Sequence, residues 1–276
     1  FTFLIITFLP ILLYFILLEL KFSSKFSVIF TAFFILLKIP FIGFSFSHFA
    51  RGALTMYPET YAAFCFFVFI LAYQKKYFFI SAVFCFLLVF IRPNYLPIFI
   101  IYLFFQLYSF YHNRKIENLL KTILGLSLFL IIPIHNFVYS NGSLVLLTNS
   151  ALIPANLKIN IYEYIYFFTD YEIKLKIINH LLNWITTGER NNIFPYFINP
   201  ILFINVLCFL LFFCKNKNSF LICLMSLSTH IPLFFYINTG RYAYFPWLLL
   251  FLSNVIILRH YYEYFFRKNK KYILNQ

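Results

Sequence analysis

Four charged residues stand out because they interrupt long apolar runs. The stretch "RGALTMYPET" carries Arg51 and Glu59, Arg92 precedes a Pro-Asn dipeptide, and Arg241 lies in "NTGRY". A guanidinium can make two parallel hydrogen bonds to a phosphate group. A carboxylate can accept a proton or orient a neighbouring cation. These residue types indicate a site for a phosphorylated ligand, provided that the fold brings them to one face.

Charged residues are rare in this chain, so each one within an apolar run calls for a structural or functional explanation. Only 11% of the residues are charged, 63% are hydrophobic, and the mean hydropathy is +0.85. A soluble domain carries about 25% charged residues. The composition therefore predicts an all-α polytopic membrane protein, since backbone groups in lipid must be satisfied within each segment. The net charge of +14 does not indicate a nucleic-acid partner, because the basic residues fall in short segments between apolar runs.

The apolar runs predict about nine transmembrane helices. The predicted spans are 1–20, 26–44, 57–74, 77–92, 95–111, 118–140, 199–214, 218–237 and 242–262. The short basic segments and the tail "RKNKK" fall on one side of this arrangement, which the positive-inside rule assigns to the cytoplasm. The sequence thus predicts a multi-pass plasma-membrane protein with a cytoplasmic C-terminus and an active face directed outward.

The domain organisation is predicted to be a single membrane domain over 1–276 with one outer insertion over 141–198. The insertion contains "YEYIYFFTDYEIKLKIINHLLNWITTGER", in which apolar residues recur at helical spacing. This pattern predicts amphipathic helices lying at the membrane interface. The chain opens with Phe inside an apolar run, so we expect a further helix and an outer loop to precede it.

Several polar residues lie near the predicted outer ends of helices, namely Asn94, His135, Asn136 and His230. No pair of histidines has HExxH spacing, and the five cysteines fall in apolar runs without metal-ligand spacing. We therefore predict no protein metal site and interpret the cysteines as small buried hydrophobic residues. No cofactor is indicated, and a requirement for a divalent cation such as Mg²⁺ is left open.

Three longer strings carry a resemblance to a known superfamily. They are "MYPETYAAFCFFVFILAYQKKYFFISAVFCFLLVFIRPNYLPIFI" (56–100), "IIPIHNFVYSNGSLVLLTNSALIPANLKIN" (131–160) and "GRYAYFPWLLLFL" (240–252). In order and spacing they resemble elements of bacterial GT-C glycosyltransferases, specifically the protein O-mannosyltransferase-like and aminoarabinose-transferase-like families. The resemblance implies a bacterial inner-membrane enzyme.

The resemblance also implies the reaction. Such enzymes move a sugar from a polyprenyl-phosphate donor to a lipid, glycan or protein acceptor on the outer face, with inversion at the anomeric carbon. Their base is usually an Asp in the first outer loop, which we expect to lie upstream of this chain, so Glu59 takes a supporting role. Substrate contacts are implied for Arg51, Arg92, Asn94, His135, Asn136, Arg190, Arg241 and Tyr242. The implied partners are the lipid-linked sugar, its acceptor and membrane lipids.

Two other classes stay open at this point. An O-antigen-type polymerase or ligase also has many spans, a long outer loop and outer arginines. A transporter or flippase for a lipid-linked sugar is less favoured, because the chain has only six glycines and its polar residues gather at helix ends.

Overall fold

The computed structural model describes the larger part of the chain. The described residues are 2–36, 38–39, 44–45, 50, 54, 58–139, 178, 195–214, 216–235 and 241–273. The amphipathic helices predicted within 141–198 lie outside the described residues, apart from residue 178 and the start of a helix at Pro195.

The described residues are almost entirely helical. The helices are α1 (Thr2–Glu19), α2 (Ser24–Leu36), α3 (Pro58–Gln74), α4 (Phe78–Ile91), α5 (Leu96–Asn113), α6 (Ile116–Leu126), α7 (Ile131–Tyr139), α8 (Pro195–Cys208), α9 (Lys217–Phe235) and α10 (Arg241–Ile273). Short 3₁₀ turns cover Pro93–Tyr95 and Ser127–Leu130, and one π-helical turn covers Phe209–Phe213. Strands β1 (Lys38–Ile39) and β2 (Phe44–Ser45) pair antiparallel.

The structure corrects the predicted fold class. Within the described part of the chain, no helix is both long enough and apolar enough to cross a membrane. The 18 residues of α1 or of α5 extend about 27 Å at 1.5 Å per residue, whereas the hydrocarbon core of a bilayer is about 30 Å thick. Helix α10 is longer, but its second half is strongly polar and charged. The predicted helical fold is confirmed, but the prediction of a polytopic membrane protein with about nine transmembrane helices is wrong.

Helices α3 and α4 form an antiparallel hairpin at the centre of the fold. The tight turn at 75–77 joins them, and α1, α6 and α10 pack around the pair. Aromatic rings of neighbouring helices meet in edge-to-face contacts, for which Phe66 of α3 and Phe245 of α10 (5.3 Å between ring centroids) are typical. Edge-to-face geometry places the positive ring edge against the negative ring face, so it adds to the free energy gained by burial.

Helices α4 and α6 approach each other closely at Gly125. A Cβ atom at this position would lie 2.5 Å from Cβ of Ala82 and 3.0 Å from the carbonyl oxygen of Phe79. Both distances are shorter than ordinary van der Waals contact. The absence of a side chain at Gly125 is what allows the two backbones to meet.

A pair of asparagines fixes the position of α10 against α8. Asn205 donates from Nδ2 to Oδ1 of Asn254 at 2.7 Å, and Nδ2 of Asn254 donates to the carbonyl oxygens of Leu202 (3.3 Å) and Leu250 (2.8 Å). Buried amides are costly unless they are hydrogen-bonded, so this network favours one alignment of the two helices.

The bundle has two distinct ends. At one end, which we call the Glu59 end, α3 begins and α4 finishes. At the other, which we call the Lys75 end, Nζ of Lys75 lies 3.8 Å from Oε1 of Glu19. Arg259 of α10 contacts Leu20, in the turn that follows α1, at this second end. Helix α10 therefore begins at the Glu59 end and runs toward the Lys75 end.

Candidate functional site

Glu59 is held at the start of α3 by local sequence chemistry. Pro58 occupies the first helical position, where its fixed φ angle suits a helix and its missing N–H group costs nothing. Glu59 follows in the first turn, where a negative charge complements the positive end of the helix dipole. The residue is only 2% exposed. Because a buried carboxylate needs a partner, its surroundings decide its role.

Arg92 supplies that partner from the end of α4. It is the residue at which α4 ends, and its backbone N–H group donates to the carbonyl oxygen of Leu88 at 3.0 Å. Its Nη2 atom donates to Oε1 of Glu59 and forms an ion pair with it. The Glu59 side chain is 3% exposed and that of Arg92 is 20% exposed. The pair therefore lies under the surface, with the guanidinium reaching toward solvent.

Tyr95 completes a cluster that we call the Glu59 cluster, consisting of Glu59, Arg92 and Tyr95. Burial raises the pKa of the Tyr95 hydroxyl well above its usual range, the negative charge of Glu59 raises it further, and Arg92 opposes the shift. The ring of Tyr95 packs edge-to-face on Phe245 of α10 at 4.8 Å. Tyr95 therefore stays protonated and links the ion pair to the first turns of α10.

One oxygen of the Glu59 carboxylate has no hydrogen-bond partner among the described residues. That atom is Oε2, and it is fully buried. Leaving a buried polar atom unsatisfied costs about 1–3 kcal/mol, and more when the group is charged. Unsatisfied groups of this kind mark positions where a ligand, water or ion can complete the hydrogen bonding.

The predicted site residues are distributed unevenly around this cluster. Asn94 lies half-buried in the 3₁₀ turn between Arg92 and Tyr95. Arg241 and Tyr242 open α10, and the backbone of Arg241 lies one helical turn before Phe245. Their side chains lie outside the described residues.

The remaining predicted residues are not brought to the cluster by the described structure. His135 is exposed on α7. Asn136 follows it in the same helix, and its side chain lies outside the described residues, as do Arg51 and Arg190 entirely. The cluster is thus formed by residues 59 and 92 of the predicted set, with Asn94 beside them.

Sequence reasoning missed Tyr95 and Phe245. A signal for Tyr95 was present, since it follows Arg92 by three residues in "RPNY" and a proline-led turn brings such residues to one side. Phe245 had no comparable signal, because an apolar residue in an apolar run does not reveal its contacts.

No group of three or more His, Cys, Asp or Glu side chains that could hold a metal ion occurs among the described residues. The polar groups of the Glu59 cluster are one carboxylate, one guanidinium and one protonated phenol. A guanidinium and a phenol O–H donate hydrogen bonds and suit an anionic or hydroxylated ligand.

Comparison with known proteins leaves the chain without a family assignment. No protein-family model, no curated protein and no solved structure matches it. The resemblance to GT-C glycosyltransferases therefore rests on the sequence motifs alone.

Proposed function

We propose that this chain is a glycosyltransferase that takes a sugar from a polyprenyl-phosphate donor and transfers it to a hydroxyl group of a lipid, glycan or protein acceptor. The observation that carries the proposal is the Glu59 cluster, in which a buried carboxylate holds an arginine and keeps a second oxygen without a partner among the described residues. Sugar transfer requires both kinds of group in the protein, a cation that binds the phosphate of the donor and a carboxylate that helps to position the reacting groups.

Arg92 is the proposed phosphate contact. A guanidinium presents its N–H donors in a planar fork that matches the oxygens of a phosphate. Glu59 orients this group and fixes its position, while the exposed part of Arg92 faces the ligand. A cation preorganised in this way stabilises the charge that develops on a leaving phosphate.

The proposed reaction is an inverting displacement at the anomeric carbon. The acceptor oxygen forms a bond to the anomeric carbon, the bond from that carbon to the phosphate oxygen breaks, and polyprenyl phosphate leaves with the electron pair. A base takes the acceptor proton. Glu59 acts through Arg92 in this step, because it holds the guanidinium in place for the leaving phosphate.

Arg241 is proposed as a second phosphate contact. Its backbone lies one turn from Phe245, which touches Tyr95 of the Glu59 cluster. One helical turn is about 5.4 Å, a span that an arginine side chain can reach across.

The test is a transfer assay on the purified full-length protein with a panel of polyprenyl-phosphate sugars. For the donor that supports transfer, Glu59→Gln and Arg241→Ala should each lower the rate by about 100-fold or more. Glu117→Gln is the matched control, since this carboxylate is exposed and paired with Lys121 on α6.

The fold of each variant is checked by its thermal transition. The proposal fails if no donor of the panel supports transfer, or if correctly folded Glu59→Gln retains the full rate. Elongation of a lipid-linked glycan chain without use of a polyprenyl-phosphate monosaccharide would point instead to a polymerase.

A further inference from the structure

A cavity lies at the Lys75 end of the bundle, away from the Glu59 cluster. Its volume is about 510 Å³, within the range of about 300–1,000 Å³ that is usual for ligand pockets. The walls come from the ends of α3 and α5 and from the beginning of α9. Along α3, Glu59 and Tyr73 are separated by about 21 Å at 1.5 Å per residue. The cavity is therefore a separate site, and its assignment does not rest on the proposed function.

The described lining of the cavity is largely aromatic. It includes the rings of Tyr73, Phe105, Tyr108 and Phe220, and the one charged residue among the described lining residues is Lys217. Nζ of Lys217 lies 5.7 Å from the centre of the Tyr108 ring. None of the described lining residues is acidic, and none of the ion pairs within the described part of the chain involves Lys217.

Two other polar groups near Lys217 make local hydrogen bonds. Oδ1 of Asn216 accepts the backbone N–H groups of Asn218 (2.9 Å) and Ser219 (3.4 Å), and so caps α9. Sγ of Cys214 donates to the carbonyl oxygen of Asn216 at 3.6 Å. The ammonium group of Lys217 is therefore the group that can select a ligand by charge.

The position of Lys217 breaks a local rule of helix electrostatics. It is the first residue of α9, where the helix dipole is positive and acidic side chains are favoured, and this first turn holds no acidic residue. A cation here raises the positive potential at the mouth of the cavity. A residue that goes against the local preference in this way is expected at a binding site. An anion at the mouth would offset the repulsion between the Lys217 ammonium and the positive end of the helix dipole.

We propose that this cavity binds a single-chain amphiphile with a phosphate head group. The alkyl chain lies among the aromatic rings, where burial of apolar surface favours binding. The phosphate lies at the mouth beside Lys217. The aromatic walls and the single cation each account for one half of such a ligand.

Cys214 offers a direct readout because it lines the cavity and is half-buried. The intact chain is treated with N-ethylmaleimide, and the modification rate of each cysteine is measured by mass spectrometry of peptides. Saturating dodecyl phosphate should slow modification of Cys214 at least fivefold. Cys208 is the internal control, since it is also half-buried but does not line the cavity. Equal protection of Cys208 would overturn the proposal.

Three further probes separate the two halves of the ligand. Dodecanol lacks the anion, inorganic phosphate lacks the chain, and dodecyltrimethylammonium reverses the charge. Each should need at least a tenfold higher concentration than dodecyl phosphate for half-maximal protection of Cys214. If dodecyltrimethylammonium or dodecanol protects as well as dodecyl phosphate, selection by charge is disproved.

Substitution at Lys217 provides the second test. Lys217→Gln should raise the half-protecting concentration of dodecyl phosphate at least tenfold and leave that of dodecanol unchanged. Lys121→Gln, which removes an exposed lysine that does not line the cavity, should leave both unchanged. Folding is verified by Cys65, which is buried and should resist modification in every variant. An unaltered response of Lys217→Gln, or an equal loss in Lys121→Gln, would refute the assignment.

Discussion

Arg259 donates a hydrogen bond from Nη1 to the backbone carbonyl oxygen of Leu20, joining α10 to the turn that follows α1 across 239 positions of the chain. The same guanidinium lies 4.6 Å from the centre of the Phe22 ring. A cation near the end of a helix satisfies carbonyl oxygens that have no partner within the helix, and it complements the negative end of the helix dipole.

Removal of this contact should destabilise the protein. Arg259→Ala loses a charge-assisted hydrogen bond and a cation–π contact, and we expect the free energy of unfolding to fall by about 2 kcal/mol. Denaturant titration measures this difference. Lys25→Ala, at an exposed position near the same end, should change it by less than about 0.5 kcal/mol. Equal effects of the two substitutions would show that the contact with Leu20 contributes nothing specific.

Gly125→Ala sets helix propensity against packing. Ala is favoured over Gly within a helix by about 1 kcal/mol. The new Cβ atom would lie 2.5 Å from Cβ of Ala82, and overpacking of this kind costs about 1–3 kcal/mol. We therefore expect a net loss of stability, measured as a lower midpoint of thermal unfolding.

The swap of the two small residues is the control for this prediction. Ala82→Gly in the Gly125→Ala background removes the closest contact, so it should recover part of the lost stability. A single Gly125→Ala variant that is more stable than the parent would show that α4 and α6 can move apart freely.

The positions of the helices could largely be predicted from apolar runs, and the breaks within them could not. The run predicted as 57–74 folds as Pro58–Gln74, because it is almost wholly apolar beyond its first turn and proline suits that turn. The run predicted as 118–140 divides into α6, a 3₁₀ turn and α7. Pro133 lacks an N–H group, and a proline within an apolar run favours a break or kink in the helix.

The membrane interpretation failed because composition does not determine helix length. A high apolar fraction indicates that much of the side-chain surface favours burial, but it does not set the length of any helix. The described helices are mostly shorter than a bilayer is thick. The predicted cytoplasmic C-terminus, the predicted outward-directed active face and the predicted cellular location stay predictions.

The Glu59 cluster could be predicted in part. Glu59 and Arg92 could be picked out because each is a charged residue in an apolar context. Their pairing could not, because it depends on the α3–α4 hairpin, which places these positions, 33 residues apart, side by side. Lys217 was interpreted only as part of a short basic segment. Its role depends on aromatic rings contributed by other helices, which no local pattern reveals.

The ion pair of Glu59 and Arg92 should show strong energetic coupling. Arg92→Met leaves a buried carboxylate without its partner, which costs about 3–5 kcal/mol. Adding Glu59→Gln removes the unpaired charge, so the double variant should lose less than the sum of the single losses, by about 2 kcal/mol. The measurement is a double-mutant cycle of unfolding free energies.

The exposed pair of Glu117 and Lys121 is the matched control for this cycle. Lys121 lowers the pKa of Glu117 through a hydrogen bond and its charge, but water screens the pair. The corresponding cycle with Glu117→Gln and Lys121→Met should show little coupling. Additive losses at Glu59 and Arg92 would contradict the buried ion pair.

His230 should make stability depend on pH in the acidic range. It is buried on α9 between Phe203 and Trp247, and burial lowers the pKa of its imidazole to about 3, opposed by a hydrogen bond to the Pro246 carbonyl. An unfolded histidine binds a proton near its usual pKa of 6.5, so the unfolded state binds more protons between these two values. The free energy of unfolding should therefore fall as the pH is lowered from 6.5, by about 2 kcal/mol at pH 5. Denaturant titrations at pH 7 and pH 5 measure this loss, which His230→Phe should remove and His112→Gln, at an exposed position, should leave intact. If His230→Phe shows the same pH dependence as the parent, another group titrates in this range, and the neutral buried state of His230 is disproved.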